Sequence, residues 1–214
     1  MRRAAPVAVP LRWLLALGVA LLLSACVPAT RIKTVAAAAD LPPGQTLLVG
    51  RIELDPPLAP GEQKLSERYA GFERTALVIL GDEPREMPRL SLGDLSQRID
   101  APLGRHFFVA HPSQPFYILK SWIVMYARIE VQSGANLPAD TNAPLHGQFR
   151  VDVRPGDRAV YIGTIRYHRD EFFSTTRVEV RDDHAAAQAE FQRRFGPGMS
   201  LRKSLAQPVR SGAR

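Results

Sequence analysis

Between residues 46 and 180 the apolar residues of this chain fall in short runs, rich in β-branched and aromatic side chains, and most runs stop at Pro, Gly or Asp. That punctuation suits strands joined by turns and leaves little room for a helical bundle. There are 18 prolines and 15 glycines, and proline interrupts both a helix interior and a central β-ladder. Residues 46–54 (TLLVGRIEL) set Ile52 and Leu54 on one face and Arg51 and Glu53 on the other, the alternation of a half-buried strand, ended by Pro56-Pro57. Residues 75–80 (TALVIL) are continuously apolar up to Gly81-Asp82 and predict a central strand. Residues 106–110 and 116–131 follow. The second run is too long for one straight strand and is expected to bend, bulge or split at Lys120-Ser121. Residues 149–153 and 159–167 flank Arg154-Pro155-Gly156-Asp157, read as a hairpin turn, and 174–180 (STTRVEV) alternate as the last strand.

One helix is expected. Asp182 or Asp183 can cap its first turn, alanines follow at 185–187 and 189, Phe191 and Phe195 share a face, and Gly196-Pro197-Gly198 ends it. Residues 65–72 and 90–99 read as short helices or loops. The expected fold is mainly β: a β-sandwich of about seven antiparallel strands with one C-terminal helix and no internal repeat.

The first residues have a different character. Arg2, Arg3 and Arg12 precede WLLALGVALLL at 13–23, small residues stand at Ser24 and Ala25, and no acid occurs before Asp40. A basic start, a short apolar core and a small-residue end make a secretory signal. The run is about half of the roughly 20 residues that a spanning helix needs. Leu23-Ser24-Ala25-Cys26 resembles the lipobox of bacterial lipoproteins. The resemblance implies removal of residues 1–25, a diacylglycerol on the Cys26 sulfur, and a fatty acid such as palmitate on the new amino terminus. Cys26 is the only cysteine, so no internal disulfide exists. Two or three acyl chains hold a protein at a membrane lastingly, where one holds it only reversibly. Val27 and Pro28 lack the aspartate that retains many enterobacterial lipoproteins at the inner membrane. The expected address is therefore the outer membrane, facing the periplasm, with the inner membrane or cell surface as alternatives. Residues 26–44 read as lipidated cysteine and flexible tether, 45–198 as the sandwich and helix, and 199–214 as a basic tail.

Charge excludes one class of partner. Removing residues 1–25 takes away three arginines and no acid, so the formal +7 falls to +4. What remains is scattered, apart from Arg202, Lys203, Arg210 and Arg214 near the end. A nucleic-acid surface needs a dense basic stripe with interleaved aromatics, and this chain has none. The tail reads as a solvated end, with anionic lipid headgroups as the second reading. The expected partners are the membrane, through Cys26, and an envelope protein.

Residues 149–167 read FRVDVRPGDRAVYIGTIRY. This stretch resembles a pattern in small bacterial envelope lipoproteins with transthyretin-like or related sandwiches, carried here by Pro155, Gly156, Asp157, Tyr161, Ile162 and Gly163 and continued by 178–183. The likeness covers about the last third of the chain and implies no residue chemistry. Physically, Pro155 presets the turn, Gly156 supplies a positive φ, and Gly163 admits a bulge or a close backbone. Tyr161 is expected to bury its ring and set its hydroxyl on a backbone group, with a ligand contact as the alternative.

The chain offers few catalytic constellations. His106, His111, His146, His168 and His184 are scattered, and His106 and His111 are expected on opposite faces of one strand, so no metal site and no cofactor are expected. His168, Asp170 and Glu171 lie together near Ser174 and support a second reading, a small periplasmic hydrolase or metal-dependent enzyme. Ser133-Gly134 and Ser91-Leu92-Gly93 lack a nucleophile elbow, and residues 167–171 read more simply as a solvated hairpin tip. Trp122 and Tyr126, on one strand face, would serve a ligand-binding platform if exposed. The favoured reading is a non-catalytic binding or structural module of the envelope.

Overall fold

The computed structural model describes residues 32–63, 65, 67–85, 97–130 and 136–209. Among these residues eleven strands form two sheets. They are β1 (Gln45–Asp55), β2 (Thr75–Gly81), β3 (Arg98–Pro102), β4 (His106–Pro112), β5 (Phe116–Glu130), β6 (Asn136–Leu145), β7 (Phe149–Val151), β8 (Ala159–Arg169), β9 (Thr175–Arg181), β10 (Arg202–Lys203) and β11 (Gln207–Pro208). The first sheet runs β4-β1-β8, with β9 and β10 sharing the outer edge of β8. The second runs β3-β2-β5, with β6 and β7 sharing the outer edge of β5 and β11 beyond β7. Among the described residues the chain is thus mainly β, two sheets with one α-helix.

Two sequence expectations are corrected here. The strands are not all antiparallel: β1 pairs parallel with β8, and β10 pairs parallel with β8. Nor is Arg154–Asp157 a hairpin. The ladder of β7 is taken by β5 and β11, while β8 belongs to the other sheet, so the turn carries the chain between sheets. Asp157 closes it: its N–H donates to Arg154 O at 3.1 Å, its carboxylate accepts the Arg154 N–H at 2.7 Å, and Gly156 takes φ +90.

Between the sheets lie Leu48, Ile52, Val78, Phe107, Phe116, Phe149, Ile162 and Tyr167, among others. A second core covers the outside of the first sheet. There the helix α1 (His184–Phe195) sets Ala187, Phe191 and Phe195 against Leu47, Val49, Phe108 and Tyr161. Burying a phenylalanine of this kind stabilises by about 1.5–3 kcal/mol. This helix explains the burial along β1, which is buried on both faces from Thr46 to Gly50 and alternates only from Arg51 onward. Gly196 ends the helix at φ +77. Asp182 accepts the His184 N–H at 3.2 Å, while Asp183 turns its carboxylate to Arg51.

β5 is one strand of 15 residues, with a register shift opposite Ile79 and Leu80. Leu119 is the extra residue there, one position before Lys120. A second irregularity sits where Gly50 faces Gly163. Ile162 is the extra residue, and Gly163 adopts φ +100 with Val180 Cγ1 only 2.7 Å from where a Cβ would stand. No other residue type fits that position without displacing β9.

Both ends of the domain are more ordered than composition implied. Residues 32–44, read as tether, are mostly exposed but anchored to the domain: Thr34 bridges Val109, Val35 is buried, and Arg194 donates to Val35 O at 2.9 Å. After the helix, Met199, Leu201 and Ala206 are buried, Arg202 pairs with Asp157 at 2.6 Å and Lys203 with Asp182 at 2.8 Å. Alternating small and charged residues hid these anchors because their partners are distant in sequence. Cys26 and the segment 1–31, with Arg210 and Arg214, lie outside the described residues.

Candidate functional site

The register of β1 defines two ends of the sandwich, roughly 33 Å apart at about 3.3 Å per residue. At one end Gln45 faces Pro112, and at the other Asp55 faces His168. Thr34 bridges Val109 antiparallel, so the chain enters along β4 from the Pro112 end, where Ile32, His111 and Pro112 line one hollow. The β8–β9 turn, residues 170–174, lies beyond His168 at the opposite end.

That turn is built to hold one side chain outward. Asp170 accepts the N–H groups of Phe172 and Ser174 at 2.9 and 2.8 Å, and its own N–H donates to Ser174 O. Phe173 takes φ +62 and packs against the inter-sheet core. Arg169 lies 4.4 Å from the Phe173 ring centroid and donates to Glu62, Pro56 O and Pro57 O. Phe172 is left 79% exposed, the one large hydrophobic residue so exposed among the described residues. An exposed aromatic on a fixed turn matches the anchors that dominate interface energetics. Toward the same end, the β5–β6 ladder continues to Glu130 paired with Asn136, although β2 pairs β5 only as far as Ile123.

The outer face of the first sheet beyond α1 is a closed lattice of charges. Arg51 contacts Glu53 at 3.0 Å and Asp183 at 2.8 Å, Arg166 contacts Glu53 at 2.8 Å, and Arg177 contacts Glu179 at 3.0 Å. Burial works against the ionised Asp183, but the Thr164 hydroxyl and the Arg51 guanidinium outweigh it and hold its carboxyl below the usual range. Strand alternation produces this checkerboard, since opposite charges face each other across β1, β8 and β9. The lattice satisfies itself and leaves little charge for a partner.

Residues 168, 170 and 171 do three separate things. His168 reaches Asp55 at 3.0 Å and Glu179 at 3.4 Å, Asp170 caps the turn, and Glu171 is exposed. The other histidines are also apart. His106 meets Glu190 at 2.6 Å, His111 is buried against Phe116 and its imidazole is pushed below the ordinary range by that burial, His146 is exposed, and His184 meets Leu201 O at 3.1 Å. Among the described residues no three His, Cys, Asp or Glu side chains gather as metal ligands. Trp122 is 4% exposed on the outside of the second sheet, so it offers no platform; the Tyr126 side chain lies outside the described part.

Tyr161 is fully buried, and its hydroxyl accepts the Asp183 N–H at 3.0 Å with Thr164 Oγ1 at 3.5 Å. It ties the start of α1 to β8. Asp157 serves as a second tie: its carbonyl accepts the Thr46 hydroxyl at 2.7 Å and its carboxylate takes two donors from Arg202. Sequence reasoning missed Phe172 and Arg169. The only cue was a Phe-Phe pair inside a turn, where one ring has room to bury and the other does not. No family model, no curated protein and no solved structure matches this chain.

Proposed function

We propose that the protein is a lipid-anchored envelope module without catalytic activity, held at a membrane through acyl chains on Cys26 and binding an envelope protein through its far end. The observation that carries this reading is the opposition of two features. The N-terminal segment enters at the Pro112 end, and the rigid turn presenting Phe172 stands at the other. Five residues lie between Cys26 and Ile32, a reach of roughly 20 Å when extended. A bilayer anchor there holds the Pro112 end near the membrane and turns Phe172 toward the periplasm. The likeness of residues 23–26 to a lipobox supports the anchor, and the outer membrane is the favoured address.

The test is metabolic labelling with a fatty-acid probe in a bacterial host, followed by fractionation, for the full-length chain and for Cys26→Ala. Labelled, membrane-bound protein that becomes unlabelled and soluble on substitution supports the reading. An unlabelled, soluble wild type overturns it.

A further inference from the structure

A second feature of the far end lies beside the Phe172 turn. A cavity of about 290 Å³ opens there, floored by Leu54, Leu58 and Leu103 and rimmed by Pro57, Asp55 and Arg74. Glu53 and Arg166 also line it but neutralise each other within the charge lattice. Arg74 does not. Among the described residues its guanidinium makes one contact, a 3.4 Å approach to Leu58 O, and the residue is exposed.

The backbone at Arg74 is unusual for a side chain with so little structural work. Its φ is +50, in the left-handed region that glycine occupies freely and arginine does not. Two hydrogen bonds hold it there. The buried Gln63 side chain accepts the Arg74 N–H and donates to Val124 O at 2.7 Å, and Leu103 N–H donates to Arg74 O at 2.7 Å. The fold thus fixes a strained cation at the mouth of an apolar cavity, and such strain collects at binding sites. Opposite charge is at hand in Asp55, whose Oδ2 is taken by His168 and whose side chain is 46% exposed.

An apolar floor bearing a guanidinium with no ion-pair partner among the described residues and a part-free carboxylate matches a small zwitterion with an apolar body. We propose that this cavity binds an aliphatic amino acid or dipeptide. Its carboxylate lies on Arg74 in the forked geometry arginine favours, its ammonium on Asp55, and its side chain on Leu54, Leu58 and Leu103. The cavity volume, at the low end for ligand sites, suits a molecule of this size.

Equilibrium dialysis of the full-length protein in detergent, with radiolabelled leucine and with glycyl-leucine as competitor, tests this. The expected result is saturable binding with Kd near or below about 1 mM. N-acetyl-leucinamide, which lacks both charges, competes at least about tenfold more weakly. Arg74→Gly weakens binding by about tenfold while Tm stays level or rises, because glycine relieves the backbone. Asp55→Asn, at a part-exposed position, weakens it similarly. No saturable binding of either probe up to about 10 mM, equal competition by the capped compound, or undiminished binding by Arg74→Gly overturns the proposal. None of these readouts depends on the lipid at Cys26, so the anchoring proposal stands or falls separately.

Discussion

The Arg169 guanidinium stacks 4.4 Å from the centroid of the Phe173 ring while two of its nitrogens reach Glu62 at 2.8 and 3.0 Å. The clamp joins the β8–β9 turn to the segment after β1, and the residue between clamp and turn end, Phe172, faces water. The Arg169 side chain is 5% exposed and that of Glu62 25% exposed. Removing one member of such a pair leaves the other charge poorly solvated. Arg169→Ala is therefore expected to lower the unfolding free energy by about 2 kcal/mol, below the fully buried case because Glu62 keeps some water. Urea denaturation checks it; a loss under about 0.5 kcal/mol, typical of surface positions, contradicts the clamp.

Tyr167 sits in the inter-sheet core, and among the described residues its hydroxyl and that of Ser121 make no well-aligned hydrogen bond, although the two are close enough to interact. Burial pushes the Tyr167 phenol up to about 12, eased slightly by Ser121. An unpaired buried hydroxyl costs free energy that a ring of the same shape avoids. Tyr167→Phe is expected to stabilise by about 1 kcal/mol, seen as a higher urea midpoint with unchanged slope. A clear loss of stability would mean that the hydroxyl has a partner.

Gly163→Ala forces a methyl to within 2.7 Å of Val180 Cγ1 at φ +100. Overpacking and backbone strain together cost about 3 kcal/mol. Gly156→Ala, also at positive φ but with nothing within 4 Å, costs only the strain, about 1 kcal/mol. The ordering of the two midpoints is the measurement.

Stability should fall in acid through Asp157. Its hydrogen bonds from Arg202 hold the carboxyl below the ordinary aspartate range, against a smaller opposing effect of burial. A group whose folded value is depressed contributes fully above its unfolded value and loses that contribution as pH falls through the folded one. The stability gap between wild type and Asp157→Asn should be constant from pH 7 to 5 and shrink below about pH 4. A gap that stays constant to pH 2 contradicts the pairing.

Strand positions were legible because a period of two is written locally, as in 46–54 and 174–180. The pairing of β1 with β8 was not, because a parallel register between distant segments leaves no mark on either. β10 and β11 are two residues each, and their identity lies in bonds to β8 and β7. At the site, adjacency in sequence is a poor guide to adjacency in space. His168 ends a strand face, Asp170 turns inward to backbone N–H groups and Glu171 points away, so neighbours in the chain are not neighbours in space. Nothing in the sequence distinguishes Phe172 from Phe173; the left-handed φ of Phe173 does.

The most direct test of the whole account is a photo-crosslinking residue placed at Phe172 in living cells, with Pro112 as the comparison site. A membrane-held domain that binds through its far end gives discrete protein adducts from position 172 that disappear in the Cys26→Ala form, and none of the same mass from position 112. Adducts to lipid at 172, or the same adducts with and without Cys26, contradict it.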